Sequence, residues 1–202
     1  MIKFKAVVFD WGGVLAENIF QDIMGYASKE LGIEKETLIP VFDKHHHEFM
    51  IGTIKEYDFW LGLCAELGID PPDKSRSLIR EAFDEVYKPK NKVQELLREI
   101  QKTEIMTGLL SDAEKPSVRF FFDSIHPLFD AVVFSSMVGT EKPEKHIYKI
   151  LVKELGVKPE EIIFFDDRIE NIEAAKEFGI KAYQVTEANE MRKILVTSKI
   201  LK

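Results

Sequence analysis

Ala6-Val7-Val8-Phe9 is an unbroken apolar run of β-branched and aromatic residues that delivers a single carboxylate, Asp10, to its carboxyl end. A run this short without polar alternation fits a strand buried on both faces, which places it at the centre of a parallel sheet. Gly12-Gly13 follow at once and let the backbone turn tightly while its own polar groups stay accessible. Open parallel sheets bind ligands outside the carboxyl ends of their strands, so an acid at a strand tip with a glycine turn behind it is presented in a crevice. What such a chain can do depends on whether later segments bring partners for Asp10 to the same edge.

Over about residues 18–87 the apolar spacing is helical and no strand is evident. Ile19, Ile23, Tyr26, Ala27 and Leu31 predict a first helix stopped by Gly32, and a second covers about 35–50. Thr53-Ile-Lys-Glu56 reads as a capping box for a third helix, whose apolar face is Tyr57, Trp60, Leu61, Cys64 and Leu67 and whose end is Gly68. Pro71-Pro72 separate a fourth, about 73–86, and Lys88-Pro89-Lys90 close the segment. Four short helices inserted after the first strand predict a small helical cap over residues 16–90. From Asn91 onward helical and strand patterns alternate, with strands near 104–110, 131–134, 162–165 and 181–185. That alternation predicts an α/β fold, a doubly wound parallel sheet of Rossmann-like type built from residues 1–15 and 91–202.

The 202 residues suffice for one core with a small accessory unit. A composition 45% apolar and 31% charged belongs to a globular chain. No apolar run reaches the roughly eighteen residues of a membrane span and no signal-peptide pattern precedes the first strand, so a cytoplasmic protein with no membrane partner is expected. The net charge of −7 argues against a nucleic-acid partner, which needs clustered Lys and Arg to neutralise phosphates. Cys64 is the only cysteine, which rules out an intramolecular disulfide. A monomer and a homodimer are both compatible with these numbers.

The predicted strand ends collect Asp10, Ser111-Asp112 and Asp166-Asp167, with Lys142-Pro143 just after the third strand. Carboxylates gathered at one edge raise one another's pKa unless a cation sits among them. Mg²⁺ suits that position, being hard, oxygen-loving and content with few protein ligands plus water and a phosphate. Beside it, a carboxylate such as Asp10 can attack phosphorus in line to give an aspartyl-phosphate that water later hydrolyses. Ser111 and Lys142 are the right types to hold phosphoryl oxygens, one through a hydroxyl and the other as a point charge.

Taken in order, Asp10-x-Gly-Gly-Val, Leu110-Ser111-Asp112, Lys142-Pro143 and Phe164-Phe165-Asp166-Asp167 with Asn171 resemble the four motifs of the haloacid dehalogenase superfamily. The predicted cap lies where one subgroup inserts a helical bundle. The chain looks most like the small bacterial sugar-phosphate phosphatases and the phosphatase half of soluble epoxide hydrolase. The resemblance implies a Mg²⁺-dependent phosphatase of small phosphorylated metabolites, a small-molecule phosphate ester being the partner. It makes Asp10 the nucleophile and a metal ligand, the Gly12 carbonyl a second ligand and Asp167 a third, with Asp166 beside it in the metal-binding set. It also implies phosphate binding by Ser111 and the residue after it, Asp112, and a Lys142 that steadies both the phosphate and Asp10.

Two residues depart from the pattern. Gly12 stands where most phosphatases of the superfamily carry an Asp as general acid and base, a role worth typically 10²–10⁴-fold. Asp112 stands where relatives often have Asn, and its charge would weaken phosphate binding unless it points away. Two alternatives share the fold. A hydrolytic dehalogenase needs no metal and would have little reason to hold Asp166-Asp167 beside the nucleophile; a binding protein would have little reason to retain Asp10, Ser111, Lys142 and Asp167 together.

Other motifs attract attention with less chemistry behind them. His45-His46-His47 would point in three directions on a helix and so cannot chelate together, although one of them is a candidate to face a pocket. Phe120-Phe121-Phe122 and Trp60 are expected in the core, and Arg168 is expected to pair with one of the strand-end carboxylates.

Overall fold

A computed structural model describes residues 3–125 and 129–202. Its strands are β1 (Ala6–Phe9), β2 (Met106–Ser111), β3 (Ala131–Phe134), β4 (Ile162–Asp166) and β5 (Lys181–Gln184). They form one sheet, parallel throughout, in the order β3-β2-β1-β4-β5. Every side chain of β1 is fully buried, which is why the run needs no polar alternation. Val7 and Phe9 enter the apolar layer on one face, Ala6 and Val8 the layer on the other. The strand order reverses direction at β1, and Phe9 pairs with both Leu109 and Phe165. Asp10 therefore emerges level with the ends of β2 and β4, at the point where an open sheet leaves a crevice.

Between β1 and β2 run α1 (Phe20–Leu31), α2 (Lys35–Met50), α3 (Glu56–Leu67), α4 (Leu78–Val86) and α5 (Asn91–Ile100). Then come α6 (Lys115–Ser124), the one-turn α7 (Ser135–Val138), α8 (Lys145–Leu155), a 3₁₀ turn at Pro159–Glu161, α9 (Ile169–Glu177) and α10 (Ala188–Thr197). The chain leaves and re-enters the sheet region by two crossings that run side by side: Glu17 N donates to the Lys88 carbonyl at 2.8 Å and Lys90 N to the Leu15 carbonyl at 3.0 Å. The helices between these crossings do not have an isolated core. One apolar cluster runs from Val7 and Phe9 through Trp11 and Phe83 to Phe42 and Phe59. Arg80 of α4 reinforces that join, pairing with Asp123 of α6 at 2.7 Å while its guanidinium lies over Phe120.

Three local expectations change. Thr53 does not cap α3; its hydroxyl donates to the Glu48 carbonyl and closes α2 instead. Glu56 is taken up by α4, accepting from the Ile79 N–H at 3.0 Å and from Trp60 Nε1 at 3.2 Å. The buried face of α3 is Phe59, Trp60, Leu63 and Cys64, with Leu61 45% exposed, because the side chosen by α2 and the sheet-linked cluster is rotated from the one that apolar spacing picks out. Finally, α4 starts at Leu78 rather than near Asp73. Asp73 folds back onto Ser75 N at 2.8 Å, and Ser77 supplies the cap by accepting from Arg80 N.

Candidate active site

Three carboxylates meet where β1 and β4 end: oxygens of Asp10, Asp166 and Asp167 all lie within 4.8 Å of one another. They are held very differently. Asp166 is fully buried and saturated. Oδ1 accepts from Arg168 N at 2.8 Å and from Asn171 Nδ2 at 3.0 Å, and Oδ2 accepts from Lys142 Nζ at 2.7 Å. Asp10 receives the Trp11 N–H on Oδ1 at 2.7 Å and faces Lys142 Nζ with Oδ2 at 3.0 Å. The Asp167 carboxylate is half-buried and, among the described residues, accepts nothing beyond its own backbone N–H. Adjacent residues at the strand end thus divide between anchoring and availability, and Asp167 is the free one.

Lys142 is the only ammonium in this cluster among the described residues, with a side chain 1% exposed. Its three protons go to Asp10, Asp166 and the Leu110 carbonyl at 3.2 Å. Burial by itself would lower its pKa, but the carboxylates of Asp10, Asp166 and Asp112 outweigh that, so the ammonium form is held firmly. Burial pushes the Asp10 carboxyl up to about 7 against the pull of Lys142, with Asp166 and Asp112 acting in the same upward direction. Asp167 is also raised, by burial and by Asp166. One ammonium against this many acids leaves the site short of positive charge, and a hard divalent cation fits that donor set. Asn171 adds a further polar atom: its buried Oδ1 has no donor among the described residues, and the residue lies on the wall of the same cavity.

The remaining motif residues sit on the same edge. Ser111, last in β2, supports the charged form of Asp10 through its hydroxyl. Asp112 lines the same cavity, and its Oδ1 accepts the Lys142 backbone N–H at 2.9 Å, so its carboxylate helps hold the segment that carries Lys142. Arg168 differs from expectation. Only its backbone N–H serves Asp166; its guanidinium pairs with Glu170, which is nearby in sequence and exposed enough to cost little desolvation. Of the three histidines, His46 reaches the cavity wall, while His45 pairs with Glu66 and His47 with Glu141. Phe120, Phe121 and Trp60 are buried, whereas Phe122 is largely exposed.

Two contributors carried no sequence signal. Lys90, on the return crossing, donates from Nζ to the Gly13 carbonyl at 2.9 Å and so pins the loop after Asp10. Trp11 stacks on Phe83 of α4 and meets Phe121 and Phe134 edge-on, fixing the residue beside the acid. Of the two glycines, Gly13 is the constrained one. Its φ is +80°, and a Cβ there would lie 2.2 Å from Asp167 Oδ2, whereas a Cβ on Gly12 meets nothing within 4 Å. Gly13→Ala should therefore lower stability by about 1–2 kcal/mol, and Gly12→Ala should stay within about 0.5 kcal/mol of the parent. Urea unfolding of the two variants checks this, and equal stabilities would remove the close approach of Gly13 to Asp167.

An all-parallel sheet with acids gathered at its switch point defines a doubly wound α/β protein with a strand-end acid site. The chain matches the haloacid dehalogenase-like hydrolases over residues 4–179 and belongs to that family. It is 27% identical over 190 residues to the sesquiterpene phosphatase astK of Aspergillus oryzae, 92% of this chain and 91% of that one. It is 29% identical over 207 residues to the phosphatase MT3486 of Mycobacterium tuberculosis, 95% of this chain and 91% of that one. Among solved structures, the HAD family enzyme bt-2542 of Bacteroides thetaiotaomicron has the same fold, with a TM-score of 0.78 at 23% identity over 96% of this chain and 98% of that one. That enzyme has also been crystallised with magnesium and inorganic phosphate. No helix among the described residues is long and apolar enough to cross a membrane.

Proposed function

We propose that the protein is a Mg²⁺-dependent phosphatase of small phosphate monoesters that works through an aspartyl-phosphate on Asp10. The observation that carries this reading is the cluster of Asp10, Asp166 and Asp167, with a single ammonium between the first two and with Asp10 and Asp167 lining a cavity. Phosphatase relatives that align over nearly the whole chain support it. In this reading residues 1–15 and 91–202 form the catalytic core and residues 16–90 the cap. Mg²⁺ would be held by Asp10, Asp167 and the Gly12 carbonyl, with Asp166 in the same cluster, and once bound would neutralise charge developing on the phosphoryl oxygens.

The chain's own groups do the rest. Trp11 N–H and Lys142 hold one oxygen each of the Asp10 carboxylate, which fixes its direction of attack on phosphorus. Phosphorus–oxygen bond formation at Asp10 accompanies cleavage of the ester bond, the departing alkoxide oxygen taking a proton from water, and a second water then releases phosphate and regenerates the carboxylate. The Ser111 hydroxyl donates to a phosphoryl oxygen, and Asp166, with all its lone-pair directions engaged, keeps Lys142 in place rather than reacting. Position 12 offers no side chain to protonate the leaving oxygen. A dehalogenase reading is less well supported, since metal-free attack on carbon gives no use to the unengaged Asp167.

Asp167→Ala separates these readings. Phosphate release should still occur but need at least about tenfold more Mg²⁺ for half-maximal rate, the scale on which metal-site partners act. An unchanged Mg²⁺ requirement would take Asp167 out of the ligand set, and no phosphate release from any monoester with or without Mg²⁺ would overturn the phosphatase reading itself.

A further inference from the structure

The cavity that opens on Asp10 extends well past the acid cluster, to about 790 Å³ in all, within the range of about 300–1,000 Å³ that encloses drug-sized ligands. Its chemistry changes with distance from the strand ends. Beyond Asp10, Ser111 and Lys142 the buried wall is Trp11, Ile19, Ile23, Met24, Ile79 and Phe83, supplied by the loop after β1 and by α1 and α4. Phe42 and the half-buried Met50 of α2 continue it. Glu17, Asn18, Gln21 and Asp43 also border the cavity, but all four are exposed, so they belong to its rim.

The charges in the wall are equally selective. Its basic side chains are Lys142, whose three protons are engaged, Arg168, which pairs with Glu170, and His46, whose Nδ1 contacts the Asp43 carbonyl at 2.8 Å. Each is already engaged at least once, and the exposed acids Glu17 and Asp43 would repel a second phosphate or a carboxylate on the ligand. The buried polar pair outside the catalytic edge, Glu114 and Ser117, is satisfied internally, the Ser117 hydroxyl donating to Glu114. A sugar or other polyol would strip water from several hydroxyls against this wall and find few partners besides the Tyr87 hydroxyl, at a cost of about 1–3 kcal/mol for each one left unpaired.

We propose that the substrate is a phosphate monoester of a predominantly hydrocarbon alcohol, with its apolar chain lying in this chamber between the sheet edge and helices α1, α2 and α4. The proposal rests on the phosphatase reading of the acid cluster and adds the chemical class of the leaving group. Met50 and Phe20, half-buried on the wall, are the positions where polarity is most easily introduced without opening the core.

Linear alkylphosphonates from ethyl to octyl, below their micelle concentrations, provide a binding test that needs no turnover. Titrated calorimetrically into the Mg²⁺-loaded protein, they should show Kd falling about fourfold per added methylene until the chamber is full, the factor equivalent to ~0.8 kcal/mol per buried CH₂. Met50→Asp and Phe20→Ser should each cut that factor below twofold. A Kd independent of chain length, or a factor unchanged in both variants, overturns the proposal. Phosphate release from the matching alkyl phosphates and from glucose 6-phosphate keeps the two readings apart. Turnover that is flat across chain length, or that favours the sugar phosphate, overturns the hydrocarbon substrate and leaves the phosphatase standing. Chain-length-dependent binding without turnover of any ester supports the apolar occupant and overturns only the hydrolysis.

Discussion

Asp10→Asn should reduce phosphate release by on the order of 10⁴- to 10⁶-fold, the scale on which loss of an enzyme's nucleophile acts, while leaving the fold intact. Asn keeps the volume of the side chain and an oxygen for the Trp11 N–H, which approaches Oδ1 at 2.7 Å. It loses the second anionic oxygen, the one that faces Lys142 at 3.0 Å and would form the bond to phosphorus. Stability should change little, because two effects oppose. The ion pair is lost, but so is the cost of burying a carboxylate that burial already pushes up to about 7. Urea unfolding alongside initial rates of phosphate release reads both quantities. A variant that turned over at the parental rate would rule out attack by Asp10, and one that failed to fold would mean that the charge is structural.

Lys142→Met should be the more damaging change for the molecule as a whole. The lysine side chain is almost completely enclosed, and its removal leaves Asp166, which has no exposure, and Asp10 facing each other without an ammonium between them. Breaking one partner out of a buried charge pair typically costs about 3–5 kcal/mol. Turnover should fall to background as well, since Asp10 loses the group that orients it. The double variant Lys142→Met/Asp166→Asn should recover a large part of the stability and none of the activity, because the uncompensated buried charge is then gone while the positioning ammonium is still missing. Urea unfolding of the single and double variants decides it. A Lys142→Met protein as stable as the parent would show that water reaches these carboxylates and that Lys142 is not their counter-ion.

Much of the architecture follows from local patterns. β1 and β3 begin and end where their apolar runs do, and α2 covers the predicted residues. The runs are bounded by glycine, proline and charge, and such signals act over a few residues wherever the segment sits in the fold. The misreadings also have local causes. Thr53 and Glu56 have the spacing of a capping box, but α2 claims the threonine hydroxyl and α4 the glutamate carboxylate. Leu61 repeats at helical spacing with Tyr57 and Cys64, yet it faces solvent because the partners of α3 lie on its other side. α7 is only four residues, too short to carry a period of its own.

The candidate site divides along the same line. The sequence by itself determined which residue types stand at the strand ends, because the polar residue that closes an apolar run marks the end of a buried strand, and Asp10, Ser111 and Asp166 close the runs before them. Only the tertiary structure decided what each of them does. Asp166 and Asp167 are indistinguishable as text, yet one is consumed by Lys142, Asn171 and Arg168 N while the other is left open. Gly12 and Gly13 are likewise equivalent in sequence, and it is the fold that sets Gly13 apart, with its φ of +80° and the approach of Asp167, more than 150 positions later. Asp112 turns to the Lys142 N–H, and α1, α2 and α4 line the cavity, for the same reason. Strand ends are set by neighbours in the chain, whereas partners are set by the register of five parallel strands and the packing of inserted helices, which bring together residues that share no local pattern.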